Sequence, residues 1–306
     1  MTEGAGGRPP RRRAPSGESH TGDVERGPHG AREPRGGREP RGRREPSARD
    51  EPSGRHEPRG PAPFADARAA LGFLTRIPVR DTTRLDAPRL SRAAPWFPVV
   101  GLLVGGVLGG TRLLTELALP PEAATVLALA AAIALTGALH EDGLADAADG
   151  LGAHVARERK LEILRDSRIG TYGAAALILV LLLSWTLLAP LSGEEVLRAA
   201  LCAHVLGRWS ILPQSLLRPA RADGSSGTLV RATPGGLAAG TVVAVVVALL
   251  AGGLGPGALV LAVAVATTLI AGGLMARALG GVTGDTFGAV SKLVEVSVYA
   301  ALVAAW

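Results

Sequence analysis

Residues 173–190 read GAAALILVLLLSWTLLAP, an apolar stretch without a charged side chain. As an α-helix this stretch would be about 27 Å long, close to the thickness of the hydrocarbon core of a bilayer. Six further stretches have a similar length and composition. We therefore predict an all-α, multi-pass membrane protein with about seven spans, at 97–118, 122–139, 173–190, 196–216, 236–253, 257–278 and 289–305. Because several spans are short, counts of six or eight stay open.

The first 63 residues have a different composition, with 14 Arg, 12 Gly and 11 Pro but only seven hydrophobic residues. Such a segment cannot bury enough apolar surface to offset the entropy lost on ordering. We therefore predict that residues 1–63 are a disordered tail and that residues 64–306 form one membrane-embedded domain.

The overall charge and composition exclude several classes of protein. The formal net charge is +6, but only 3% of the residues are aromatic, so the chain lacks the stacking surfaces of single-strand binders, and we expect no nucleic-acid partner. The single cysteine, Cys202, lies in an apolar stretch. A disulfide within the chain is therefore excluded, and a thiolate metal site is not expected.

Basic residues are concentrated in alternate loops. One set of loops carries them, at Arg76, Arg80, Arg84, Arg89, Arg92, Arg157, Arg159, Lys160, Arg165, Arg168, Arg218, Arg221 and Arg231. The other set, 119–121, 191–195 and 254–256, contains no Lys or Arg. Positive loops tend to stay in the cytoplasm, so we expect a cell-membrane protein with its tail and its large polar loops on the cytoplasmic side.

The most informative polar segment is LHEDGLADAADG at 139–150. In a helix, Asp142, Asp146 and Asp149 stand at positions i, i+4 and i+7 and share one face. Their mutual repulsion favours a bound cation, and hard oxygen ligands favour Mg²⁺ or Mn²⁺, which in turn bind phosphate oxygens. The alternative is a solvated acidic helix end. We predict a metal site at Asp142, Asp146 and Asp149.

A second segment, RDSRIGTYG at 165–173, leads directly into an apolar span. Backbone N–H groups at the start of that helix would attract an anion, and the segment adds guanidinium and hydroxyl donors. We predict contacts with phosphate from Arg165, Ser167, Arg168, Gly170 and Thr171. The alternative is an Asp or Ser N-cap followed by a glycine turn.

A third segment, GGVTGDTFGA at 280–289, precedes the last span in the same way. Here Thr283, Gly284 and Asp285 are candidates for substrate contact, with N-capping as the alternative role for Asp285. Ionisable residues inside spans are costly and often functional, which makes Arg208 a candidate partner for an anion or a carboxylate. The same reasoning applies to Glu295, whose partner the sequence does not identify.

These segments also carry a family resemblance. In chain order, FLTRIPV (73–79), WFPVVG (96–101), HEDGLADAADG (140–150), DSRIGTYG (166–173) and GVTGD (281–285) resemble the motifs of the adenosylcobinamide-GDP ribazoletransferase, or cobalamin synthase, family. The resemblance covers about residues 70–305. It implies a Mg²⁺-dependent membrane enzyme that joins α-ribazole or its 5′-phosphate to adenosylcobinamide-GDP and releases GMP.

The resemblance also assigns roles within this catalytic domain. It implies that Asp142, Asp146 and Asp149 hold the metal, that Asp166 orients or completes its site, and that Arg168 and Arg208 contact phosphates. The general base is either His140 or one of the aspartates. The implied partners are the two substrates and the lipid bilayer, and a homo-oligomer stays open.

Two other functions remain open at this point. Residues 146–153 match the beginning of the signature of CDP-alcohol phosphotransferases of lipid synthesis, but His154 stands where that signature has Arg. A transporter with broken helices would suit the glycine-rich spans. Against a transporter, the ionisable residues cluster at one membrane face and no internal repeat is evident.

Overall fold

In a computed structural model, residues 63–79, 86–220 and 230–306 are described, and these parts of the chain are helical. The helices are α1 (Pro63–Leu74), α2 (Ala87–Ala93), α3 (Phe97–Thr115), α4 (Pro121–Thr136), α5 (Leu139–Gly152), α6 (Arg157–Ile163), α7 (Thr171–Leu188), α8 (Gly193–Trp209), α9 (Ile211–Gln214), α10 (Pro234–Gly252), α11 (Leu254–Leu279) and α12 (Gly284–Ala305). The predicted tail lies outside the described residues, except for Pro63, which begins α1. Arg80, Arg84 and Arg221 of the basic loops also lie outside them.

Five helical segments in the described ranges are long and apolar enough to cross a membrane. They are α2 and α3 together (Ala87–Thr115), α7, α10, α11 and α12. The pair of α4 and α5 adds a sixth if it counts as one span, although the two helices are bent by 88°. The multi-pass, all-helical prediction is therefore confirmed, and the upper count of six lies within the range of six to eight that the sequence left open.

The predicted span 196–216 is not among these candidate spans. There the chain forms α8, which has 17 residues and begins with two glutamates in its first turn, Glu194 and Glu195. Arg198 and Arg208 also lie within α8. The helix packs against α3, α10 and α12, so protein covers many of its polar groups. Arg208 is thus packed inside the bundle, and the helix runs antiparallel to α3 from the 191–195 loop toward the opposite end.

Glycines allow α3 and α8 to pack in direct backbone contact. A Cβ atom added at Gly101 would lie 2.5 Å from the carbonyl oxygen of His204, and one added at Gly105 would lie 2.6 Å from that of Ala200. Gly109, one further turn along α3, meets α8 in the same way. Small residues at this spacing are typical of tightly packed membrane helices.

A sharp turn separates α4 from α5. Gly137 and Ala138 both have left-handed backbone conformations, with φ of 65° and 59°. The first ends α4, and the second redirects the chain into α5. Residues 139–150 are helical as predicted, but this helix runs nearly perpendicular to α4.

The loops without Lys or Arg meet at one end of the bundle. Three hydrogen bonds connect helices there: Arg112 Nη2 to Leu191 O (3.2 Å), Trp185 Nε1 to Glu122 O (3.0 Å) and Arg198 Nε to Ala251 O (2.7 Å). Because α11 starts at this end and α12 returns to it, the loop between them lies at the opposite end. The contacts therefore match the grouping of loops predicted from charge.

Candidate active site

The aspartate helix α5 packs closely against the beginning of α12. A Cβ atom at Gly143 would lie 2.9 Å from the carbonyl oxygen of Asp285 and 3.2 Å from Cα of Gly288. Only hydrogen at position 143 allows this approach. The contact brings Asp285 beside the α5 carboxylates, so that Asp146 lies within electrostatic range of Asp142 and Asp285.

At the start of α12, Thr283 is the N-cap. Its hydroxyl accepts a hydrogen bond from the backbone N–H of Thr286 (3.2 Å), and the Thr286 hydroxyl accepts one from the backbone N–H of Thr283 (2.9 Å). The capping role considered for Asp285 therefore belongs to Thr283. Gly284 is exposed, whereas Thr283 is buried. The hydroxyl of Thr283 is thus paired with the backbone of Thr286. Asp285 lies in the first turn of α12, beside α5.

Asp149 connects α5 to the start of α7. Its two carboxylate oxygens accept hydrogen bonds from the backbone N–H groups of Gly170 (2.7 Å) and Gly173 (2.9 Å). A carboxylate is stabilised at this position by the positive end of the helix dipole. In this structure, the anion bound by these N–H groups is therefore the Asp149 carboxylate. The phosphate contact predicted for Gly170 would require Asp149 to give up a hydrogen bond.

Asp166 and Arg168 form an ion pair in the loop before α7. Two guanidinium nitrogens donate to the carboxylate, with the shortest contact 2.6 Å from Arg168 Nη2 to Asp166 Oδ2. The hydrogen bonds from Arg168 lower the pKa of Asp166 to about 2. This carboxylate is therefore ionised throughout the physiological range. Arg165 and Ser167, beside it in the loop, are exposed.

An open cavity of about 520 Å³ lies between Asp149 of α5 and the loop before α7. Its walls include Asp149, Asp166, Arg168, Gly170 and Thr171. The sequence predicted a common site for these residues, and the structure places them around one cavity. It combines a guanidinium group with a helix N-terminus, which suits a phosphate-bearing ligand.

A ready-made metal cage is not present in the described ranges. Among residues 63–79, 86–220 and 230–306, no group of three or more His, Cys, Asp or Glu side chains is arranged to hold a metal ion. Asp149 is held by α7, and Asp166 is held by Arg168. The metal triad at Asp142, Asp146 and Asp149 therefore stays a prediction.

A second cluster of ionisable groups lies inside the bundle. Lys292 of α12 contacts Glu141 of α5 (2.9 Å) and Glu295 of α12 (2.6 Å). Glu295 also pairs with Arg208, and its Oε1 lies 2.9 Å from Nδ1 of His204. All five side chains are buried. We call Glu141, His204, Arg208, Lys292 and Glu295 the buried ionic cluster.

The buried ionic cluster identifies the partner of Glu295 that the sequence left open. Arg208 is paired with this carboxylate, so the phosphate contact predicted for Arg208 would require the guanidinium group to leave Glu295. Sequence reasoning missed Lys292 and Glu141. The signal was the spacing of Lys292 and Glu295 at i and i+3 within an apolar helix, which is typical of an internal ion pair.

His140 lies beside the buried ionic cluster at the beginning of α5. It is 4% exposed, and its Nδ1 has no hydrogen-bond partner among the described residues. Buried polar atoms are normally paired, so this nitrogen is an unusual feature of the site. The choice of His140 or an aspartate as general base stays a prediction.

The chain was also compared with known proteins. The family model described as cobalamin-5-phosphate synthase matches residues 66–303. Proteins named adenosylcobinamide-GDP ribazoletransferase are similar to the chain over most of their length. The one from Bradyrhizobium diazoefficiens is 43% identical over 239 residues, covering 76% of this chain and 90% of the relative.

Two further relatives carry the same name. The one from Azorhizobium caulinodans is 41% identical over 249 residues, covering 76% of this chain and 93% of the relative. The one from a Roseiflexus species is 37% identical over 242 residues, covering 78% and 90%. No solved structure matches the chain. The family match covers all described helices that form the site, and it supports the resemblance over the two rival functions. The chain belongs to the cobalamin-5-phosphate synthase family.

Proposed function

We propose that the chain is an adenosylcobinamide-GDP ribazoletransferase whose active site lies where α5, the loop before α7 and the start of α12 meet. Two observations carry this location: Gly143 of α5 packs against Asp285 and Gly288 of α12, and Asp149 of α5 lines the open cavity together with Arg168 and the start of α7. In this reaction a ribazole hydroxyl attacks the cobinamide-linked phosphorus, the bond to GMP breaks, and the hydroxyl proton is released.

The reaction needs stabilisation of negative charge more than a covalent nucleophile. The Arg168 guanidinium lies at the cavity wall, where it can hold phosphate oxygens. Asp166 fixes the orientation of Arg168 through two hydrogen bonds. Asp149 holds the start of α7 against α5 and thus keeps the cavity in place.

A magnesium ion fits the donor chemistry of this site. Carboxylate oxygens are hard ligands, and the charges of Asp142, Asp285 and Asp149 all act on Asp146. We assign the binding of Mg²⁺ to Asp142, Asp146 and Asp149, with Asp285 as a further ligand. Because these side chains do not form a cage in the described residues, they would have to draw together around the ion, and Asp149 would have to leave α7. When bound, the ion would neutralise charge on the substrate phosphates.

We assign this end of the bundle to the cytoplasmic side of the cell membrane. The support is the charge of the loops, since Arg157, Arg159, Lys160, Arg165 and Arg168 all lie between α5 and α7. The opposite end joins the loops that lack Lys and Arg. Both substrates are water-soluble, so the active site would meet them from the cytoplasm.

The activity is tested with the full chain in purified form. We expect GMP release from adenosylcobinamide-GDP only when α-ribazole or its 5′-phosphate and Mg²⁺ are both present. Removal of divalent cations with EDTA should stop the reaction, and added Mg²⁺ should restore it. GMP release without a ribazole substrate would indicate a hydrolase, and phosphatidyl transfer from a CDP-linked lipid would support the rival phosphotransferase function.

A further inference from the structure

A second cavity lies beside the carboxylates of Asp142 and Asp285. It shares no wall residue with the cavity at the loop before α7. Its volume is about 180 Å³. Six of the residues around it are apolar: Phe73, Leu74, Leu139, Ile211, Val230 and Phe287. The remaining wall is formed by α5 and α12 and contains His140, Asp142 and Asp285. We call this cavity the apolar pocket.

The walls and size of the apolar pocket suit a flat aromatic ring system. The whole chain has only four phenylalanines, and two of them, Phe73 and Phe287, line this pocket. Aromatic side chains stack on planar bases with favourable energy. A dry protein cavity of about 150 Å³ can hold a benzene molecule, so this volume suits a small base and excludes a whole nucleotide or a corrin ring.

The polar wall supplies an imidazole group and two carboxylates. His140 lines the pocket with its imidazole group. A ligand with a ring nitrogen can exchange a hydrogen bond with an imidazole nitrogen. Asp142 and Asp285, at the same wall, place the pocket next to the carboxylates where phosphoryl transfer is proposed.

We infer that the apolar pocket binds the planar base of the ribazole substrate. This inference rests on the proposed function and adds a subsite to it. The base packs between Phe73 and Phe287, its free ring nitrogen faces His140, and its ribose extends toward Asp142 and Asp285. The attacking hydroxyl is then held beside the carboxylates.

The chemistry of the walls argues against guanine as the occupant. The edge of guanine carries several hydrogen-bond donors and acceptors, and those turned away from the wall of His140, Asp142 and Asp285 would be buried against Leu74, Ile211 and Val230 without partners. A ribosylated benzimidazole has a single free ring nitrogen and an apolar edge. The guanosine part of the other substrate therefore belongs outside this pocket.

Substitution at Ile211, which is 3% exposed, tests the inference. Ile211→Phe narrows the pocket and should raise the KM for α-ribazole by about tenfold or more, while the KM for adenosylcobinamide-GDP changes less than about twofold. Ile211→Ala widens the pocket and should improve the use of a riboside with a tricyclic base relative to α-ribazole. This relative gain of activity could not come from a poorly folded protein.

Leu216→Phe is the matched control, since Leu216 follows α9, is 47% exposed and is not among the pocket walls. It should leave both KM values unchanged. A rise in KM for adenosylcobinamide-GDP alone in Ile211→Phe would assign the pocket to the guanosine or cobinamide part and overturn the inference. Unchanged KM values in both Ile211 variants would overturn it too. If the unsubstituted protein releases no GMP with α-ribazole, the proposed function itself fails.

Discussion

Asp146→Asn is expected to reduce GMP release by at least about 100-fold, the scale of losing one strong electrostatic contact to the transition state. Asp146 is within electrostatic range of Asp142, Asp285 and Asp149, so the substitution removes one carboxylate of the proposed cation site. The loss should appear in steady-state assays of purified protein. Because one of several mutually repelling carboxylates is removed, the amount of folded protein and its melting temperature should not fall.

Two other aspartate variants separate function from structure. Asp142→Asn should behave like Asp146→Asn, since Asp142 is exposed and has no structural role in the described contacts. Asp149→Ala should also lower the melting temperature, because Asp149 accepts two hydrogen bonds at the start of α7. Glu122→Gln, at the opposite end of the bundle, is the control and should be fully active. Full activity of Asp146→Asn and Asp142→Asn would contradict the assignment of the cation site to α5.

Glu295→Gln is expected to destabilise the folded protein by about 3–5 kcal/mol, the usual effect of removing one partner from a buried ion pair. Glu295 is 1% exposed and contacts both Arg208 and Lys292. Its loss leaves Arg208 without this carboxylate and leaves Lys292 with Glu141. The measurement is thermal unfolding in detergent, together with the amount of protein inserted in the membrane.

A double variant tests whether charge balance is the cause. Lys292→Met combined with Glu295→Gln removes one charge of each sign, so it should be more stable than Glu295→Gln alone. Glu194→Gln, in the exposed first turn of α8, is the control and should change stability little. If the double variant is no more stable than the single variant, the buried ionic cluster is not held together by its charge balance.

The sequence predicted the local structure of the site because helical periodicity depends on short-range order. Residues 139–150 form a helix, and the three aspartates of that helix are spaced as expected. The loops before α7 and α12 also lead into helices as predicted. These features follow from apolar runs, glycines and capping residues that lie close together in the chain.

The sequence could not predict contacts between distant segments. Nothing local indicates that Asp149 binds the start of α7, 21 residues later. The role of α8 could not be predicted for a related reason. An internal helix such as α8 can be short and charged because its neighbours satisfy it, and the pairing of Glu295 with Arg208 joins residues that are 87 positions apart. Tertiary packing determined both features.

We propose that α5, the loop before α7 and the start of α12 form one substrate site on one side of the membrane. Single cysteines at Ala153, Ser167 and Gly284, in a Cys202→Ala background, test it through labelling by a membrane-impermeant maleimide, with Ala118→Cys at the opposite end as the control. We predict labelling of the first three from the cytoplasmic side only, and protection of all three by substrate with Mg²⁺. Ala118→Cys should be labelled from outside without protection. Labelling of any of the three site positions from outside would contradict the claim.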